Sequence, residues 1–338
     1  MPLRVFSRAP PERFLIAFNL TRGYFRRIKM RAITQYLQRY AEPEAKLTAF
    51  ATAFKWRQAV VIPASAESEN VLGLLKSLER TKERALAILV INSRGGNLAA
   101  AELNQKLFAT LAVQLNCIAK SPPILFGGWS ERLDVWVINR SEGEFAFPDE
   151  QGVGLARKIG SDLALALHAG GHGISVIHHL DADCTVAPDY FRAIDGHVTD
   201  VRGLREPRVL WLHPFRHLVT ADNASAKTTI YENYLRHFVA GLKRAGSPYA
   251  FPALGSTLAF TPLAYAQVRG FPKKLAGEDF YLCDKMAKIG AVAELSGGEV
   301  FISPRFSNRT PFGTGAAIQK DIVFHDEGVF EDLAVVVK

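Results

Sequence analysis

The sequence predicts an α/β fold built on a mostly parallel sheet flanked by helices, with a helical extension at its N-terminus. Three observations carry this. Short apolar runs alternate with stretches of helical periodicity, which is the pattern of βαβ units. The runs end at Pro, Asn or Asp, so polar residues collect where parallel strands finish. The 338 residues are 48% hydrophobic and 22% charged, an ordinary globular balance that excludes disordered and fibrous classes.

The elements follow in order. Residues 11–40 space Phe14, Phe18, Phe25, Ile28, Ile33 and Tyr36 as a helix does, and a short helix is expected over Ala45–Phe54. Ala59–Ile62 is a strand stopped by Pro63. Val71, Leu74, Leu75 and Leu78 mark a helix, and Ala85–Ile91 a second strand. Asn97 is placed to cap a helix running to about Leu115. Leu133–Ile138 reads as a strand, Gly152–His168 as a helix and Ile174–Leu180 as a strand ending at Asp181. Then come a strand at Arg208–Leu212, a polar stretch His213–His217 and a long helix over Ala224–Lys243. A strand at Ser256–Phe260, helices at Pro262–Val268 and Glu278–Ile289 and a strand at Val300–Ile302 complete the reading. Three parts result: a basic helical extension (1–54), the α/β domain (55–310) and a C-terminal tail packed on it (311–338).

The charge is unevenly spread. The chain carries a formal +8, of which residues 1–54, with ten Lys/Arg and three acids, hold +7. The near-neutral body argues against nucleic acid as a partner. The basic segment over residues 11–40 has two readings, a helix packed on the domain and an amphipathic helix lying on an anionic membrane. Cys117, Cys184 and Cys283 are few, odd in number and widely spaced, which fits a reducing compartment rather than a disulfide framework. With no signal-peptide core and no run of ~18 apolar residues, the expected location is the cytoplasm, with peripheral attachment at the inner face of the membrane under the second reading.

Four constellations bear chemistry. Asp181-Ala182-Asp183 follows an apolar strand directly, and two carboxylates so spaced can share a hard divalent cation that also meets phosphate oxygens. Alone, the same triplet is also a common solvated turn. Glu278-Asp279 opens a helix behind Gly277. Its acids suit the helix dipole, and a carboxylate there can also take a proton from an attacking hydroxyl. Gly152-Val153-Gly154-Leu155-Ala156-Arg157-Lys158-Ile159-Gly160 places two cations just inside a helix N-terminus, where they could assist phosphate binding, or it is tight helix packing plus a solvated basic pair. Pro63-Ala64-Ser65-Ala66-Glu67 ends the first strand, with Glu67 either facing a nucleoside or capping a helix. His213, His217 and His325 are lesser candidates for extra metal ligands, and Arg305 and Arg309 for a diphosphate.

Taken in order, these pieces resemble the family 2 glycosyltransferases of the GT-A fold: the opening strand, proline and acidic turn, the Gly-x-Ala-Arg helix with Lys158 in place of the usual Asn, the D-x-D at Asp181 and Asp183, and Gly270-Phe271 followed by Glu278-Asp279. The resemblance covers roughly residues 57–305. It implies metal-dependent, inverting transfer of a single sugar from a nucleotide-diphosphate donor to an acceptor hydroxyl on a glycan or a lipid-linked molecule. Asp181 and Asp183 would bind Mg²⁺ or Mn²⁺. Asp279 would be the base and Glu278 its neighbour on the acceptor. Pro63, Ala64, Glu67, Asn92, Arg157, Lys158 and Asp181 would border the donor. Asn92 stands where the family usually has an Asp, which loosens the expectation of uracil as the base. The competing readings are a sugar-nucleotidyltransferase and a non-catalytic nucleotide-sugar or membrane-surface binding module. The first is disfavoured because the loop after the opening strand has neither glycine nor a base, the second by the presence of both carboxylate pairs.

Overall fold

A computed structural model describes residues 30–51, 53–94, 96–121, 123–195, 207–219, 223–275, 277–304, 322 and 324–337. Among these, nine strands form one sheet in the order β11-β8-β10-β6-β1-β2-β5-β4-β3. They are β1 (Gln58–Ala64), β2 (Ala85–Asn92), β3 (Asn116–Ser121), β4 (Ile124–Gly128), β5 (Leu133–Arg140), β6 (Val176–His179), β8 (Arg208–Leu212), β10 (Leu258–Phe260) and β11 (Ala291–Glu294). Only β4 and β10 run against the rest. A second sheet joins β7 (Cys184–Val186), β12 (Val300–Ile302) and β9 (Phe215–His217). The expected α/β class is what the structure shows.

The centre of the sheet is buried on both faces, so its strands read as unbroken apolar runs rather than alternating ones. All seven residues of β1 are buried, and they divide by parity. Val61 packs with Ile159 and Leu163 of helix α4 (Val153–Ala169). Val60 and Ile62 pack with Leu74, Leu75 and Leu78 of α2 (Ser68–Glu79) on the opposite face. Helix α3 (Leu98–Gln114) begins at Asn97, whose side chain accepts from the Ala100 N–H as its spacing predicts. The glycines of the 152–160 run serve packing. A Cβ on Gly160 would overlap Val61, and one on Gly154 would overlap the carbonyls of Pro272 and Lys274. These contacts set α4 close on β1 and close on the loop that leads to the Glu278-Asp279 pair.

Several expectations are corrected. The hairpin of β3 and β4 was not foreseen. β3 lies at a sheet edge, is mostly exposed and carries no apolar alternation to read. β9 hides in the polar stretch His213–His217, where Phe215 and His217 point inward and Arg216 outward. The short helix expected over Ala45–Phe54 is a 3₁₀ helix over Pro43–Ala51, broken at Leu47.

Of the N-terminal helix, residues 1–29 lie outside the described residues. Residues 30–39 are helical (α1) and bury Ile33 and Tyr36 against the domain. The last helices are α5 (Asn223–Arg244), α6 (Pro262–Gln267), α7 (Glu278–Ala287) and α8 (Glu327–Val337). The last of these seats the buried Phe330 against Phe238 and over Gly241 of α5, where a Cβ would not fit. Among the described residues, no helix is long and apolar enough to cross a membrane.

Candidate active site

A cleft of about 1030 Å³ opens at the carboxyl ends of the central strands. The register explains why. β1 and β2 end almost level, with Ala64 beside Ile91, and β6 stops about three residues short, with His179 beside Val61, so the segments that follow all three open at the same end of the sheet. The N-termini of α4 and α7 and the 252–256 segment close the other side. Pro63, Ala64, Glu67, Asn92, Arg157, Asp181, Asp183, Glu278 and Asp279 all line this one cavity, although up to 216 positions separate them in the sequence.

Arg157 is the hub. Its guanidinium is 3% exposed, donates from Nη2 to Asp181 Oδ1 at 2.6 Å and from Nε to Glu278 Oε1 at 2.9 Å, and leaves Nη1 without a partner. Burial alone would ease its proton off, but Asp181, Glu278 and Asp279 together hold it charged. Gly255 makes room for this group, because a Cβ there would overlap the guanidinium. Asp181 remains 39% exposed despite the ion pair. Asp183 is nearly buried beside it, and its carbonyl accepts from the Ser303 N–H at 3.1 Å, tying the aspartate pair to the second sheet.

Asp279 is held by two main-chain donors. Oδ2 accepts from the Gly255 N–H at 2.9 Å and Oδ1 from its own helix at the Phe280 N–H, 2.7 Å. Burial pushes its carboxyl above the usual aspartate range, against the pull of Arg157, and the same cause raises Glu278. Glu278 turns to Arg157 and is buried, so Asp279 is the more open acid of the pair. Gly277 sits at φ +74°, the left-handed region that favours glycine, with nothing near its missing Cβ. It turns the chain into α7 and itself lines the cleft.

On the other wall, Glu67 occupies the N-cap of α2 without making the cap, and its Oε2 accepts from Asn70 at 3.2 Å. The Asn92 amide hydrogens are committed to the carbonyls of Ala64 and Val90, both at 3.0 Å. A ligand there would meet the amide oxygen and not the donor and acceptor expected of a free side chain.

Other candidates fall away from the cleft. Lys158 does not reach it. One position beyond Arg157 on the helix, it is buried on another side, where Nζ donates to Asp162 (2.7 Å), the Tyr36 hydroxyl (2.9 Å) and the Tyr40 carbonyl (2.6 Å). It therefore fastens α1 to α4 and touches no donor. His325, expected as a possible metal ligand, forms no cluster of three metal-ligating side chains with the aspartates among the described residues. It is exposed, sits against α5 and shares a hydrogen bond with the Tyr234 hydroxyl at 3.2 Å. His217 is held by Glu232 at 2.8 Å. Ala276, Arg305, Arg309 and residues 311–315 lie outside the described residues.

His213 is buried, bonds the Gly298 carbonyl at 2.9 Å and stacks on Tyr190. Burial lowers it to about 4, and His178 and His179 shift the same way. An unfolded His titrates near 6.5, so between ~6.5 and 4 the unfolded chain binds more protons than the folded one. His213 thus leaves stability intact above ~6.5 and removes roughly 3 kcal/mol as pH falls to 4. Urea midpoints at pH 7 and pH 4.5 should differ less in His213→Phe than in the parent chain. An equal difference would place the acid sensitivity elsewhere.

Among the residues that shape the cleft, Arg94, Tyr231 and Asn104 were not foreseen. Arg94 follows β2 and lines the cavity; its only sequence signal is its position two residues beyond Asn92. Tyr231 faces Asp279 from α5, and burial followed by that carboxylate pushes its phenol up to about 12. Asn104 supports the loop after β1 from α3 without lining the cavity.

No family model matches the chain, and no curated protein matches it. In structure it is similar to the mannosyltransferase PcManGT from Pyrobaculum calidifontis in complex with GDP-Man and Mn²⁺: TM-score 0.42, 16% identity, 85% of this chain and 67% of that one. It is similar to glucosyl-3-phosphoglycerate synthase from Mycobacterium tuberculosis in complex with Mg²⁺ and UDP at TM-score 0.41 and 13% identity, over 79% of this chain and 75% of that one. A third similar structure is TarS of S. aureus, at TM-score 0.41 and 12% identity, where 73% of this chain spans 36% of that protein, about a third of its length.

Proposed function

We propose that the cleft is the active site of a GT-A-type glycosyltransferase, akin to family 2, that moves a single sugar from a nucleotide-diphosphate donor to an acceptor hydroxyl with inversion. One observation carries the reading. The aspartate pair at a parallel-strand end, the arginine that braces it and a half-buried acid with raised proton affinity meet in one cavity large enough for a nucleotide sugar.

The aspartate pair fits a hard divalent cation. Asp181 and Asp183 supply anionic oxygen, and Asp181 stays partly open although Arg157 holds one of its oxygens. Among the described residues, no three His, Cys, Asp or Glu side chains cluster for a metal, so the remaining ligands would come from water and the diphosphate. Mg²⁺ or Mn²⁺ bound there would neutralise charge on the departing diphosphate.

The chain's own groups do the rest. Arg157 fixes Asp181 in place. Ala64, Glu67 and the Asn92 oxygen border the nucleoside. Asp279, oriented by two main-chain N–H groups, takes the acceptor's proton as its oxygen attacks. The acceptor enters beside Tyr231.

Calorimetry with a panel of nucleoside diphosphates, with and without Mn²⁺, tests the reading. Mn²⁺-dependent binding of at least one is expected, and Asp183→Ala should lose the Mn²⁺-dependent part of that binding. Failure of every nucleotide to bind with Mn²⁺ would sink the assignment.

A further inference from the structure

The loop between β1 and α2 carries an uncommon feature. Ala66 has φ +56°, a left-handed conformation that an alanine adopts at a cost. The loop lines the cleft through Ala64, Ser65, Ala66 and Glu67. Something must hold it in that shape, and the hydrogen bonds identify it. Asn104 of α3 is fully buried. Its Oδ1 accepts from the Ala66 N–H at 2.7 Å, and its Nδ2 donates to the Asn92 carbonyl at 3.0 Å. The Asn92 side chain in turn donates to the Ala64 carbonyl. Two asparagines thus tie the exit of β1 to the exit of β2, one at Ala64 and one at the strained residue itself. Asn104 touches the loop's main chain and does not line the cavity.

We propose that Asn104 is a positioning residue for the donor: it locks Ala66 in the left-handed turn and so fixes the wall, including Glu67, against which the nucleoside is held. This rests on the reading of the cleft as a nucleotide-sugar site. An ordinary core asparagine would only lower stability when lost. A positioning asparagine also sets affinity, and it does so through one residue.

The test is a double-mutant cycle on nucleotide affinity, using the nucleoside diphosphate of that panel that the parent chain binds most tightly with Mn²⁺. Asn104→Leu should weaken binding about tenfold, the equivalent of one lost hydrogen bond. Ala66→Pro removes the same N–H and cannot adopt a positive φ, so it should cause a similar loss. The double variant should bind no more weakly than the weaker single variant, because both act on one turn. Unchanged affinity in Asn104→Leu, or losses that add, overturns the proposal. Ala66→Pro alters a half-buried loop, so if Asn104→Leu does not fold, unchanged affinity in Ala66→Pro overturns it equally. If the parent chain binds no nucleoside diphosphate of the panel, the donor-site reading fails on its own. Amide exchange then decides the clamp: Ala66 should be protected in the parent and lose that protection in Asn104→Leu, and retained protection would overturn it.

Discussion

Asp279→Asn should slow sugar transfer by ~10²-fold or more while leaving donor affinity nearly intact, the scale expected when a general base is removed. The size follows from the role. The acceptor hydroxyl is a weak nucleophile until its proton has somewhere to go, and an amide cannot take that proton. The site is built to strengthen the native group: burial raises the carboxyl's affinity for protons, and the Asp181 charge adds to this while Arg157 opposes it. The sign for pH follows. Transfer needs the carboxylate form, so activity falls as pH drops through the raised value, and the fall begins at a higher pH than for a solvated aspartate. In Asp279→Asn this acid limb should vanish and the residual rate should be flat there. The amide has one acceptor oxygen where the carboxylate accepts from both Gly255 and Phe280. A stability loss of about 1 kcal/mol is therefore expected alongside. Rates against pH, with donor affinity measured by calorimetry, separate the effects. An undiminished rate would move the base to another group.

The aspartate pair and the acid pair were legible in the sequence because each abuts a strong local signal, an apolar strand before Asp181 and a helix start at Glu278. The partnership between them was not legible. Arg157 and Lys158 are adjacent and chemically alike, and in the sequence both serve a phosphate equally well. The fold separates them because successive residues leave a helix about 100° apart. One meets the carboxylates of the cleft, and the other meets Asp162 and the hydroxyl of Tyr36. The same limit explains the histidines. His213 and His217 sit in one polar stretch, yet both are buried, His217 on the inward face of β9 and His213 just after β8, where it bonds the Gly298 carbonyl. Asn104 gave no sequence signal, since a buried amide that bonds a distant loop looks like any polar residue on a helix. The fold was more readable than the site. Long buried strands such as β1, β2 and β5 announce themselves by composition, whereas the short β4 and β7 give too brief a run to read and the edge strands β3 and β11 are exposed or half-buried.

Arg157→Met should be the most damaging change to folding among the cleft residues, at roughly 3–5 kcal/mol, the cost of removing one partner from a buried ion pair. The Arg157–Glu278 pair is almost dry, with side chains 3% and 4% exposed, so Glu278 would be left as an unpaired charge in the interior. Its carboxyl, already raised by burial, would lose the Arg157 charge that lowers it and rise further. A carboxyl whose folded value is raised binds protons more tightly when folded. Stability attached to it is full below the unfolded value near 4.3 and declines as pH climbs through the folded one. The gap between Arg157→Met and the parent chain should therefore be larger at pH 8 than at pH 4.5. Adding Glu278→Gln should recover most of the loss, because the stranded charge disappears with its cause. The double variant would still lack the brace on Asp181, so its Mn²⁺-dependent nucleotide binding should stay weak after stability returns. Denaturant midpoints at the two pH values and calorimetry on the refolded double variant read these outcomes. A double variant that recovers both would mean that Arg157 serves the fold alone.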